Sequence, residues 1–299
     1  MNNACTKDIH SAVMSNKDFC RLSEFVYSEC GIKITGSKKV LLESRLRKRL
    51  RDLGIGSFSE YRDYLFSQEG INNELIHMID VVTTNKTDFF REPKHFEYLV
   101  QMALPELINK YGTGVRRKYA IWSAGCSTGE EPYTLAMVLS EFAESYQKIP
   151  LYPPLSKGEF SFSILATDIS TRALEKARLG IYNENTIYPV PTDFRKKYFL
   201  KSRDNDKRLV RVVPELRDLV KFRRLNFMDG DFGMREPMDI IFCRNVIIYF
   251  DRPTQEKLLN RLYRHLIPGG YMFMGHSETL NGLNVPLISV APMVYRRPL

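Results

Sequence analysis

The sequence predicts an α/β protein: a Rossmann-like sheet preceded by an all-helical domain and interrupted by a small β insertion. Three observations carry this. From Tyr119 an apolar run passes into small residues (Ser123, Ala124, Gly125, Ser127, Thr128, Gly129), and Leu135, Met137, Val138 and Leu139 then follow at helical spacing, which reads as strand, tight loop, helix. Residues 17–80 carry apolar positions at helical spacing, punctuated by Gly31, Gly36, Gly54 and Gly56. Asn183 to Leu225 departs from the strand–helix alternation, and RLVRVV (208–213) and LVKFRRL (219–225) read there as short strands around Pro214.

Bulk properties narrow the class. A chain of 299 residues with 43% hydrophobic content builds a proper core in one large or two ordinary domains. No apolar run is long enough to span a bilayer, and MNNACTKDIH has neither the basic start nor the apolar core of a signal peptide, so a soluble, cytoplasmic protein is expected. The five cysteines (Cys5, Cys20, Cys30, Cys126, Cys243) are scattered without C-x-x-C spacing and read as reduced thiols. The five histidines are equally dispersed, and no metal site is expected. Net charge is +9, unevenly placed. Lys38 to Arg51 holds seven basic residues against Glu43, and Asn183 to Leu225 holds twelve basic against six acidic, +6 in each stretch. Two positive surfaces suit an acidic partner, although either run alone also reads as solvated charge.

In chain order, Leu42, Leu46, Leu50 and Leu53 form one stripe of a second helix, while Arg45 and Arg49 lie on another face with Lys48 close by. The segment Val81–Leu99 combines short polar residues with Phe89, Phe90 and Arg91, more than a plain connector needs. In the central loop the glycines allow close backbone approach, and the free amides of the next helix suit a polar group. Glu130 and Glu131 would repel a phosphate and suit a cationic ligand end. The P-loop lysine is missing and the glycine spacing does not match G-x-G-x-x-G. S-adenosylmethionine, with its ammonium and sulfonium, fits better than NAD or ATP; an ordinary strand–helix turn is the competing reading of this loop alone. After a Pro- and Lys-rich connection (149–159), a second strand ends at Asp168, placed to hold ribose hydroxyls. The alternative of a mere helix cap is met by Ser170. Asn226 and Phe227 stand where the sheet resumes, and Met238–Asp251 is a buried strand with a polar break at Arg244-Asn245.

The stretches TTNKTDFFRE (83–92), WSAGCSTGEEPYTLA (122–136), ATDIS (166–170), FCRNVIIYFD (242–251) and GHSE (275–278), in this order over nearly the whole chain, resemble the chemotaxis receptor methyltransferases of the CheR family. These are S-adenosylmethionine-dependent enzymes that esterify chemoreceptor glutamates and release S-adenosylhomocysteine. The resemblance implies a class I methyltransferase domain with a small antiparallel β-subdomain. The expected division is residues 1–80 as a helical receptor-docking domain, 81–117 as a linker touching the cofactor, and 118–299 as the catalytic domain with 183–225 inserted. It further implies that Asn85, Thr87 and Arg91 contact the cofactor, Glu131 meets its ammonium and Asp168 its ribose, and Asn226-Phe227 and Asn245-Val246 line its adenine and methionine sides. Arg91 and Tyr249 are the candidates for orienting the reacting groups, Tyr249 reading equally as a core aromatic. Arg45, Lys48, Arg49 and Arg51 are expected to steer acidic receptor helices, and the β-subdomain resembles one that adds a receptor C-terminal peptide as a strand. A monomer without nucleic-acid partner or membrane insertion is expected. The competing readings are a nucleic-acid methyltransferase, favoured by the charge but lacking an N-P-P-Y-type loop or a catalytic cysteine in a suitable context, and a non-catalytic S-adenosylmethionine-binding signalling module.

Overall fold

A computed structural model describes residues 13–148 and 160–299. Cys5, the N-terminal decapeptide and the Pro-rich connection lie outside the described residues.

The first domain is built from α1 (Asn16–Cys30), α2 (Lys39–Leu53), α3 (Phe58–Leu65), α4 (Gln68–Asn73) and α5 (Leu75–Val82). Ser15, Ser57 and Ser67 each accept a backbone N–H in the first turn of a helix, satisfying donors the helix cannot use itself. Leu42, Leu46 and Leu50 of α2 are buried with Leu22 and Val26 of α1 and Tyr61 and Leu65 of α3, as the leucine stripe predicts. Each such side chain stabilises the fold by roughly 1.5–3 kcal/mol.

Residues 83–93 then run without helix, and α6 (Lys94–Tyr98) continues through a π turn (Leu99–Ala103) into α7 (Leu104–Tyr111). Phe96, Leu99, Leu104 and Leu107 are buried in the main core, so the expected linker is largely a helix packed on the sheet.

The second domain follows as β1 (Tyr119–Ala124), α8 (Glu130–Lys148), β2 (Phe162–Asp168), α9 (Thr171–Leu179), β3 (Ile181–Asn183), α10 (Thr192–Tyr198), β4 (Phe199–Lys201), β5 (Leu209–Val212), α11 (Pro214–Arg217), β6 (Val220–Arg224), β7 (Met238–Cys243), α12 (Arg252–His265), β8 (Leu266–Met274), β9 (Ile288–Ala291) and β10 (Val294–Arg296). Seven strands form one sheet in the order β6-β2-β1-β7-β8-β10-β9, parallel from β6 to β8 and closed by antiparallel β10 against β8 and β9. Its central strands are hydrophobic on both faces: all six residues of β7 are buried. Chain order reverses between β1 and β7, the place where open α/β sheets bind ligands at their carboxyl ends.

A separate antiparallel sheet, β3-β5-β4, is the expected β insertion, but its extent differs from expectation. Val220–Arg224 does not belong to it. These residues pair in parallel with Ile164–Asp168 as the edge strand of the main sheet, which therefore resumes before Asn226. No helix among the described residues is long and apolar enough to cross a membrane.

Candidate active site

At the carboxyl end of β1 the chain turns sharply enough to require positive φ at Gly125 (87°), Ser127 (49°) and Gly129 (97°). Gly125 and Cys126 both donate to the Thr167 carbonyl, binding the loop to the end of β2. A Cβ at Gly125 would stand 2.4 Å from Cγ2 of Val246, so only glycine lets these two loops close on one another. Tyr182 of β3 donates to the Thr128 carbonyl at 2.7 Å, tying the loop to the β-subdomain.

The two carboxylates after the loop separate. Glu130 accepts from Thr128 and does not line the cavity, whereas Glu131 points into it. Ser123 Oγ donates to Glu131 Oε1 at 2.7 Å and Arg244 Nε to Oε2 at 2.8 Å, which leaves the carboxylate with unused acceptor capacity. Asp168 at the end of β2 accepts the Ser127 N–H at 2.7 Å on Oδ2 and the Ser170 N–H at 2.9 Å on Oδ1. Burial nevertheless holds its pKa above the usual aspartate value. The Ser170 hydroxyl caps α9, so Asp168 is spared that task.

The Asn245–Val246 corner, with Asn245 at φ 59°, is held by a residue that sequence reasoning left without a role. Glu278, in GHSE, accepts the backbone N–H groups of Gly275, Asn245, Val246 and Ile247 at 2.7–2.9 Å. Arg91 lies between Phe90 and Glu92, which both have positive φ, on a segment clamped by aromatic packing. Phe89 meets Tyr182 and Phe199 edge-on, and Phe90 packs against Phe96 and Phe194. The adjacent phenylalanines therefore anchor the loop that presents Arg91.

These loops enclose a cavity of about 920 Å³ including its open mouth, which takes in Asn85, Thr87, Arg91, Glu131, Asp168, Asn226, Phe227, Asn245, Val246 and Tyr249. Every cofactor-contacting or orienting residue expected from sequence thus meets in one place. Tyr249 is half-buried at the wall, and its core-aromatic reading falls away. Asn226 also donates to the Glu29 carbonyl at 2.6 Å, fastening the helical domain over the site, and Cys30 and Ile32 of that domain complete the wall. No local pattern marks these two as site residues.

Arg244, which the sequence offers only as half of the polar break after β7, has a role that sequence reasoning missed. It is buried and holds Glu131, the Arg91 carbonyl (2.8 Å) and His95 Nδ1 (3.1 Å), with Glu92 at 3.5 Å. Glu92, His95 and His276, dispersed in sequence, do cluster within 4.8 Å. The Arg244 guanidinium already occupies the cation position beside them, and burial with this neighbour lowers the His95 pKa to about 4.

The docking arginines are redistributed. Arg49 is committed to buried Glu74 at 2.8 and 2.6 Å, which Tyr61 also contacts. Arg45 holds the Val82 and Thr83 carbonyls and Thr84 Oγ1. Both are internal fasteners, because a guanidinium on the packed side of α2 meets partners within its own domain first. Lys48 and Arg51 are exposed. Cys20, Cys30, Cys126 and Cys243 are free thiols, and burial raises the pKa of Cys126 and Cys243 well above the ordinary range.

A site at the switch point, with a carboxylate at the start of α8, a second at the end of β2 and closely packed backbone between, fits a cofactor with a cationic amino-acid end and a ribose. Fold and site together define an S-adenosylmethionine-dependent methyltransferase of the Rossmann-like class. The chain belongs to the CheR methyltransferase family: residues 17–83 match its all-alpha domain and residues 85–293 its SAM binding domain. It is 40% identical over 284 residues to the chemotaxis protein methyltransferase of Borreliella burgdorferi, covering 95% of each chain. It is 39% identical over 281 residues to chemotaxis protein methyltransferase 2 of Pseudomonas aeruginosa, covering 94% of this chain and 93% of that one. Against the Escherichia coli chemotaxis protein methyltransferase the identity is 36% over 273 residues, covering 90% and 87%.

Proposed function

We propose that the chain is a protein-glutamate O-methyltransferase of chemosensory adaptation, acting in the cytoplasm as a monomer on the helical region of methyl-accepting chemoreceptors. The observation that carries the reading is the convergence of Asn85, Thr87, Arg91, Glu131, Asp168 and Asn245 on one cavity beside Tyr249. When bound, S-adenosylmethionine would supply an electrophilic methyl: an acceptor carboxylate oxygen would bond to it as the carbon–sulfur bond breaks, giving the methyl ester with S-adenosylhomocysteine as the leaving group.

An acceptor glutamate, with an ordinary pKa of about 4.3, is ionised near neutrality, so no side chain of the site has to act as general base. His95, held neutral by burial and bonded to Arg244, is not needed for that role. Opposite charges disappear during transfer, so the site works by placement, a contribution of up to roughly 7–11 kcal/mol in favourable cases. Arg91 makes one side-chain bond, to the Lys86 carbonyl at 3.2 Å, and its remaining donors orient the acceptor with Tyr249. Glu131 holds the cofactor's ammonium and Asp168 its ribose, while Asn226-Phe227 and Asn245-Val246 form the flanking walls. Exposed Lys48 and Arg51 steer acidic receptor helices, and the β3-β5-β4 subdomain takes a receptor C-terminal peptide along its edge. The test is transfer of labelled methyl from S-adenosylmethionine to a receptor cytoplasmic fragment, with and without its C-terminal tail. Label on the fragment supports the reading; label on RNA or DNA, or cofactor binding without transfer, overturns it.

A further inference from the structure

Between β6 and β7, residues 225–237 form neither helix nor strand, yet this connection carries Asn226 and Phe227, one wall of the cofactor cavity. A segment without a backbone ladder of its own keeps its carbonyls in place only where other groups donate to them. Arg261, in the third turn of α12, is such a group. Its Nη1 donates to the Phe227 carbonyl at 2.8 Å, and its Nη2 donates to the Gly230 carbonyl at 3.1 Å and to the Asp229 carbonyl. The guanidinium also lies 3.9 Å from the centre of the Phe232 ring, which is itself fixed against Trp122 and stacked on His265. Arg223 of β6 grips the far end of the connection, donating to the Phe232 carbonyl at 2.7 Å and the Gly233 carbonyl at 3.3 Å. The Asn226 amide is already engaged: Nδ2 donates to the Glu29 carbonyl, and Oδ1 accepts the Met228 N–H at 3.0 Å.

We infer that Arg261 is a positioning residue for the cofactor. It does not line the cavity and acts through the backbone it holds, setting the wall that receives the adenine ring and hence the affinity for the adenosine half of S-adenosylmethionine. The inference rests on the reading that places adenine at Asn226-Phe227. A planar guanidinium suits the task because three carbonyls converge on one fork, whereas an ammonium is a point donor and reaches fewer of them. The cofactor's amino-acid end is assigned to Glu131 on α8, so the two halves of the ligand respond to different residues.

The test uses the full chain and the variants Arg261→Met, Arg261→Lys, Phe227→Ala and Glu131→Gln. Calorimetry measures binding of S-adenosylhomocysteine and of 5′-methylthioadenosine, which keeps the adenosine but has no amino-acid end. Arg261→Met is expected to weaken both ligands by the same factor, about tenfold or more, as a displaced wall does. Arg261→Lys is expected to recover part of that loss, and it carries the comparison if Arg261→Met does not fold. Glu131→Gln is expected to weaken S-adenosylhomocysteine while leaving 5′-methylthioadenosine within about twofold of wild type, the behaviour of independent sites. An arginine with a purely structural role would lower the melting point and leave both affinities of the folded protein unchanged. Affinities within about twofold of wild type in the Arg261 variants therefore overturn the inference. So does a loss confined to S-adenosylhomocysteine, which would place the effect at the amino-acid end. Phe227→Ala reports on the underlying reading: unchanged affinity for both ligands removes adenine from this wall, and the inference falls with it whatever the Arg261 variants show.

Discussion

Replacing Arg244 with methionine tests how the site is held together. The guanidinium is surrounded by Glu131 at 2.8 Å, the Arg91 carbonyl at 2.8 Å, His95 at 3.1 Å and Glu92 at 3.5 Å, and it lies over the rings of Phe96 and Phe242. Methionine keeps the contact with the rings but leaves two carboxylates, each with side chains 9% exposed, without their cation. Removing one partner of a buried pair costs about 3–5 kcal/mol. For a chain of this size that corresponds to a melting point lower by about 10 °C. The sign with pH follows from His95, whose pKa is lowered to about 4 first by burial and then by the guanidinium, so that wild type loses stability as pH falls below the ordinary histidine range. Removing Arg244 takes away the second of these causes, and the variant loses less on acidification. The deficit against wild type is therefore expected to be largest near pH 8 and to shrink near pH 5.5. Thermal melts of both proteins at the two pH values give the answer. A melting point within about 2 °C of wild type at both, against the ~10 °C expected from the buried pair, refutes the assignment of Arg244 as the fastener of Glu131 and the Arg91 loop.

Arg91→Ala is expected to lower turnover at saturating substrates by about 100-fold with little change in melting, since the side chain is half-exposed and makes one hydrogen bond; near-normal turnover removes Arg91 from the mechanism. Asp168→Asn is expected to weaken cofactor binding by about 10–100-fold, read by calorimetry. Because burial raises the Asp168 pKa, wild-type affinity falls on acidification from above the usual aspartate range, and the Asn variant should lack that limb; an identical acid limb in both assigns it to another group. Gly125→Ala sets a Cβ 2.4 Å from Val246 Cγ2 at φ 87°, a backbone strain of about 1–2 kcal/mol. Cofactor affinity should suffer more than stability, and the converse would mean that the loop is not part of the site.

What the sequence reveals and what it conceals divide along a physical line. Period-3.6 stripes such as Leu42-Leu46-Leu50 and continuous apolar runs such as β7 are local, and their burial follows from them. The Gly125–Gly129 loop is legible for the same reason, since positive φ and close approach demand small residues in place. β6 is legible as a strand but not by its sheet, because VKFRR, with only its first residue buried, reads as any edge strand and nothing in it says which sheet it joins. Arg244 stands out in sequence as part of a polar break, but its role does not, because its partners Glu131 and Arg91 are 113 and 153 residues away. Arg45 and Arg49 mislead in the opposite sense: a run of basic residues reads as one surface, whereas Glu74 and the Val82–Thr84 turn claim two of them from within the domain.

The most direct test of the account is the chemistry of the product. A receptor cytoplasmic fragment labelled from S-adenosylmethionine by this protein should release its label as methanol under mild alkali, with the modified positions mapping to glutamate side chains. Alkali-stable label on nitrogen or sulfur, or label confined to nucleic acid, contradicts it.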